Sequence, residues 1–148
     1  MVLSKSFGYA LRGILYVALL KDEGRNVSID EIASRLSVPR HFLGKIMKAM
    51  VKAGILSSVR GQQGGFFINE RTLGTSIGAI ILLTEGKNYF STCLLSLRQC
   101  NADNPCPMHN RVQEFRNGLQ NIYGQTTIGD LLKEDKPGFI NSITTGVK

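Results

Sequence analysis

The sequence predicts a mainly α-helical fold with a small β wing: a winged helix-turn-helix followed by a long helix suited to dimerisation. Three observations predict it. A capped helix, a tight Ser37-Val38-Pro39 turn and a basic helix follow one another between Ser28 and Ala53. Two short β-type runs, ILSSVR and FFI, then flank the Gly-rich turn GQQGG. Last comes PMHNRVQEFRNGLQNIYG, whose apolar residues recur at alternating steps of three and four. At 148 residues, 43% hydrophobic and 20% charged, the chain has room for one compact domain with an added element, and its composition excludes wholesale disorder.

The first helix places Phe7, Ala10, Leu11, Ile14, Val17 and Ala18 on one face, while Lys5, Arg12 and Lys21 interrupt the apolar run. That pattern excludes a signal peptide or membrane anchor and predicts a core-facing helix of a cytoplasmic protein. KDEGRN is a polar turn. Ser28 and Glu31 then have the spacing of a capping box and start a helix over SIDEIASRL. Pro39 enters the first turn of a third helix, which runs to about Ala53 and stops at Gly54.

The third helix is two-faced: Phe42, Leu43, Ile46, Met47, Met50 and Val51 form an apolar side, and His41, Lys45, Lys48 and Lys52 recur on the other. A lysine stripe alone is more often a solvated face than a phosphate contact, and it is the context that follows which turns the reading toward DNA. The hairpin that follows is the wing, and Arg60 at its base is suited to entering a narrow minor groove.

Thr75 opens the apolar helix SIGAIILLTEG, and residues 87 to 105 lack periodicity. Pro107 begins the long helix, where Val112, Phe115, Leu119 and Ile122 make a narrow seam. Such a seam outside the DNA-binding unit predicts a homodimer reading two half-sites of a palindrome in double-stranded DNA. Thr126 and Thr127 cap the short segment IGDLL, and the polar stretch from Lys133 is a mobile tail. The predicted organisation is 1–72 for the winged helix-turn-helix, 73–132 for a sensor loop and dimerisation helix, and 133–148 for the tail.

Charge is unevenly placed. The formal net charge is +7, yet residues 1–71 carry 11 basic and 5 acidic side chains, and residues 72–148 carry 7 and 6. A basic half-chain attracts polyanions, with steep salt dependence if the partner is nucleic acid.

The second half contains CLLSLRQCNADNPCPMH, which offers Cys93, Cys100, Cys106 and His109 at C-x6-C-x5-C-x2-H spacing. Three cysteines make no disulfide framework. Soft thiolates with an imidazole suit an iron-sulfur cluster or zinc. The tight C-x2-C knuckle common in zinc sites is absent, and a metal-free thiol sensor fits the same residues. Cys106 lies just ahead of the helix expected from Pro107, where free backbone N–H groups stabilise a thiolate. No acid or oxyanion motif accompanies the Cys-His pair, so an enzyme is not predicted.

Taken together, YALRGILYVAL, DEIASRLSVPRHFLGKIMKAMVKAGILSSVRGQQGGFFI and the three cysteines closely resemble the Rrf2 family of bacterial winged-helix regulators. The resemblance covers nearly the whole chain, and the RG-x-x-GG wing is its most specific signal. It implies that Arg40, His41, Phe42 and Lys45 face DNA at the start of the recognition helix, with Arg60 and Gln62 in the wing. Ser37, Lys48 and Lys52 complete the expected DNA contacts. It further implies that Cys93, Cys100 and Cys106 are cluster thiolates and His109 the completing ligand, as in the family's iron-sulfur cluster regulator. The nitric-oxide-sensitive relatives use an acidic residue of the partner's first helix, a position that looks like Gly8 here. A filtering acidic residue of the recognition helix is replaced by Gly44. The expected protein is a dimeric transcription factor sensing iron-sulfur status, redox state or nitric oxide through a cluster, two-iron in preference to four-iron. The alternatives are a metal-free thiol- or metabolite-sensing winged-helix repressor and a zinc-stabilised DNA-binding protein.

Overall fold

The computed structural model describes residues 3–97, 100–134 and 139–144, with backbone alone at 139–141. Helix α1, Lys5–Leu19, is the centre of the fold, packing against α3, α4 and α2 and against the short helices near the C-terminus. Its start is fixed by Ser4, whose hydroxyl accepts from Phe7 N and whose own N–H donates to Glu85 at the end of α4 (2.9 Å). The single-face pattern holds in its first turns, but every residue from Gly13 to Ala18 is buried because other helices surround this stretch. Arg12 is only half-buried. Its guanidinium donates to the carbonyls of Leu36, at the end of α2, and Ile143, so an apparent surface charge ties three elements together.

Helix α2, Ile29–Leu36, begins at Ser28, whose hydroxyl accepts from Glu31 N (3.1 Å). The reciprocal half of the expected capping box is replaced: the Glu31 carboxylate accepts from Tyr16 Oη and from both terminal nitrogens of Arg25. Ser37 closes α2 in the left-handed conformation, and Pro39 serves as the cap before α3, Arg40–Lys52. Gly54 follows with φ +78, the left-handed stop expected past a helix end.

Strands β1, Ser57–Val59, and β2, Gly65–Phe67, pair antiparallel with Ser58 opposite Phe66, forming the expected wing. The extended chain at Val27 adds to it: Val27 and Phe66 exchange both backbone hydrogen bonds (2.9 and 2.8 Å). A Cβ on Gly65 would lie 2.5 Å from the Val27 carbonyl oxygen, so only glycine permits this approach. Thr72 anchors the wing base, donating to Ile55 O and accepting from Asn69 N while fully buried.

Helix α4, Ile77–Glu85, is capped by Ser76, one residue past the expected Thr75. Among the described residues, no helix or strand lies between 87 and 108. Helix α5, His109–Gln125, starts two residues after Pro107, because His109 N first closes a turn onto Cys106 O (3.0 Å). Helix α6, Ile128–Lys133, has a complete capping box between Thr127 and Asp130. Within the stretch expected to be a mobile tail, Phe139–Thr144 forms α7, and Ile143 is buried against α1 and α2. Residues 135–138 and 145–148 lie outside the described residues. No described helix is long and apolar enough to cross a membrane.

Candidate functional site

Two regions collect the residues singled out by the sequence. The first is the groove between α3 and the wing. Arg40, Gly44, Lys48 and Val51 line one wall, Ser58 to Gln62 line the other, and Ser28 to Asp30 close the end. Helix α3 presents this surface because Leu43, Met47 and Met50 are held in the core, and Gly13 of α1 lets Met47 approach closely. Lys45, Lys48 and Lys52 are then exposed, as are Ser37, His41, Arg60 and Gln62.

Phe42 departs from its expected place on the apolar side of α3. It is 57% exposed, with its ring edge-to-face against His41 at 5.7 Å. That exposure matches its other assignment, at the DNA-facing start of the helix. Arg40 is not free of protein partners, since its Nε is paired with the Asp30 carboxylate.

The second region is the cysteine site. The loop from 87 to 108 brings the sulfurs of Cys93, Cys100 and Cys106 within 4.8 Å of one another. Cys93 and Cys106 are 3.7 Å apart, and Cys100 Sγ lies 3.4 Å from His109 Nδ1. All three cysteines are free. The backbone N–H of Leu97, helped by that of Leu95, holds the Cys93 thiol down to about 7 against the opposing effect of desolvation. The Cys106 backbone N–H favours the Cys100 thiolate too, but desolvation and the neighbouring sulfurs outweigh it and push that thiol up. Because α5 begins at His109, its N-terminus lies beyond Cys106 rather than directly at it.

The donor set fits a metal. Two ligands on one tetrahedral metal with metal–sulfur bonds of about 2.3 Å stand roughly 3.8 Å apart, close to the Cys93–Cys106 separation. His109 and Cys100 form a second close pair. Three soft sulfurs with one imidazole are donors that iron-sulfur clusters and zinc both accept.

On α5, Val112 and Leu119 are half-buried, whereas Phe115 and Ile122 are 63% and 58% exposed. Tyr123 faces inward, toward Phe90. The residue that sequence reasoning missed is Arg116, which is 6% exposed and lines the same small cavity as the three cysteines and His109. Its place on the helix was a usable signal, since it falls two turns after His109 on the same side.

Residues 3–134 match the Rrf2 family, described as an iron-dependent transcriptional regulator. Over 134 residues the chain is 37% identical to a protein of Aquifex aeolicus (strain VF5) described as an HTH-type transcriptional regulator, covering 89% of this chain and 92% of that one. It is 28% identical over 127 residues to the HTH-type transcriptional regulator NsrR of Geobacillus kaustophilus (strain HTA426), covering 85% and 86% of the two chains. The structure of CymR (YrzC), the global cysteine regulator of B. subtilis, is similar with a TM-score of 0.74 at 20% identity, covering 92% of this chain and 99% of that one, a likeness of fold. With its winged helix-turn-helix, and with a family match spanning nearly its whole length, this chain belongs to the Rrf2 family of DNA-binding transcriptional regulators.

Proposed function

We propose that this regulator binds operator DNA as a homodimer and that an iron-sulfur cluster held by Cys93, Cys100, Cys106 and His109 sets its affinity. The observation that carries the reading is the convergence of the three cysteine sulfurs, with His109 of the first turn of α5 beside Cys100. The cluster, when bound, supplies redox sensitivity and reactivity toward oxidants and nitric oxide. The chain's own residues hold it, and the loop that carries the cysteines also leads into α5. Reordering of that loop would shift α5, and with it the separation of the two α3 helices across a dimer. We take a two-iron cluster in preference to a four-iron one as the form proposed.

The DNA side of the proposal assigns roles by chemistry. Lys45, Lys48 and Lys52 neutralise phosphates. Arg40, His41 and Phe42, with Ser37 in the preceding turn, meet base edges in the major groove, and Arg60 with Gln62 enters the minor groove. An enzyme is not proposed, because the family is one of transcriptional regulators.

A second reading has its own observation. Cys93 and Cys106 are close enough for a disulfide after a modest movement, since a bonded pair stands at about 2.05 Å. Protein purified without oxygen decides between them. The cluster reading expects a brown protein with matching iron and sulfide, bleached in Cys106→Ala with the fold intact. A colourless protein containing stoichiometric zinc, or one forming a Cys93–Cys106 disulfide on mild oxidation, would overturn it.

A further inference from the structure

We propose that Arg116 is the positioning residue of the cysteine site, supplying both its countercharge and the brace that joins its loop to α5. The proposal rests on the metal-centre reading above and deepens it. Arg116 is 6% exposed, and Thr72 is the other buried polar residue among those described. One terminal nitrogen of its guanidinium donates to the carbonyl of Thr92, the residue immediately before Cys93. Its Nε is buried with no hydrogen-bond partner, the one such side-chain atom among the described residues.

A guanidinium taken out of water without a carboxylate is strongly disfavoured unless an anion meets it. None of the residues lining its cavity is acidic: they are the three cysteines and His109 with Leu94, Met108 and Val112. The anion this arrangement implies is the sulfur set itself once it carries metal. Three thiolates around a two-iron core of charge +2 leave a single negative charge, which one guanidinium balances. The unpartnered Nε–H leaves a donor facing a cavity lined by sulfurs, and outer hydrogen bonds and charges of that kind tune metal affinity and potential.

The same residue links the site to the rest of the molecule. Through Thr92 it holds the entrance of the cysteine loop to the middle of α5, and the adjacent Phe115 points outward on the seam. Movement of the loop is therefore passed to the helix at the turn that carries the seam.

The test compares full-length wild type with Arg116→Gln and Arg116→Lys. Cobalt(II) is titrated into metal-free reduced protein, the midpoint potential is measured after anaerobic reconstitution, and amide hydrogen exchange is followed in the metal-free loop. For Arg116→Gln the expected results are cobalt binding weakened by tenfold to a hundredfold and an oxidised-to-reduced ratio raised about tenfold at fixed potential, a shift of about 59 mV to lower values. Exchange near Cys93 should quicken. Arg116→Lys keeps the charge but loses the fork, so it should restore most of the potential without restoring the slow exchange. Wild-type cobalt affinity in a folded Arg116→Gln variant overturns the proposal, as does an unchanged potential. If wild type takes up no iron and sulfide, the cluster reading fails on its own, and the cobalt titration still decides the role of Arg116.

Discussion

Single residues in this protein act chiefly by closing contacts between distant segments. Thr72 is the clearest case. Its buried hydroxyl serves Ile55 O at 2.6 Å and Asn69 N at 3.0 Å, while the Asn69 side chain reaches Gly54 O and Ser57 Oγ. The end of the recognition helix and the base of the wing are thereby held as one unit. Thr72→Val keeps the shape and strands both partners, so a loss of about 1–3 kcal/mol is expected, visible in urea denaturation. A loss below about 0.5 kcal/mol would mean that water replaces the hydroxyl. Glu31 gives a pH signature. Hydrogen bonds from Arg25, then from Tyr16, hold its carboxyl below the ordinary carboxylate range despite partial burial. A group whose native pKa is lowered stabilises the fold above its unfolded value and loses that contribution as pH falls through the native value. Glu31→Gln is therefore expected to be less stable than wild type at neutral pH, with the gap closing below about pH 4. A gap that stays constant down to pH 2 would remove Glu31 from the account.

At the scale of elements, what was legible in the sequence had a short-range chemical cause. Ser28, Gly54 and Thr127 mark helix ends because their side chain, or its absence, satisfies the terminal backbone groups, and each stands where its chemistry predicts. The cysteines and His109 were equally legible, since few residue types bind soft metals. What escaped depended on partners distant in sequence. Val27 is one extended residue whose pairing with Phe66 has no periodicity to reveal it. Phe42 lies one helical step from Leu43, and residue type sorts helix faces no more finely than that; one ring is exposed and its neighbour fully buried. Arg12 reads only as an interruption of an apolar run and Arg116 is passed over, because the carbonyls that accept from them belong to other segments. The DNA assignments lie at this scale too. Lys48→Ala should weaken binding to all duplexes and reduce the salt slope by about one, whereas Arg60→Ala should cost about 1–3 kcal/mol chiefly on the cognate site. Fluorescence anisotropy at several salt concentrations separates them, and equal losses for Arg60→Ala on every sequence would remove the wing from specific readout.

For the whole molecule, the basic half and the nearly neutral half are not separable bodies, because α4 packs on α1 in one continuous core. A change at the cysteine loop thus has a mechanical route to the recognition helices, provided that two copies are joined. Members of the family act as dimers, and the outer face of α5 is the surface we propose for that role. Phe115 and Ile122 are large, apolar and more than half exposed there, an arrangement that a monomer has little reason to keep. Because neither side chain supports the protomer's own core, a charge at Phe115 should leave the fold unchanged and act on association alone. Phe115→Glu places like charges in a twofold seam. It is expected to sediment as a monomer at concentrations where wild type is a dimer, with an unchanged melting temperature. Binding to a two-half-site palindrome should fall by roughly 10²-fold, since the second contact no longer benefits from the linkage, while binding to a single half-site stays the same. Should the variant remain dimeric with full affinity for the palindrome, the seam lies elsewhere, and Leu82 and Leu83 on the exposed side of α4 become the surface to alter next.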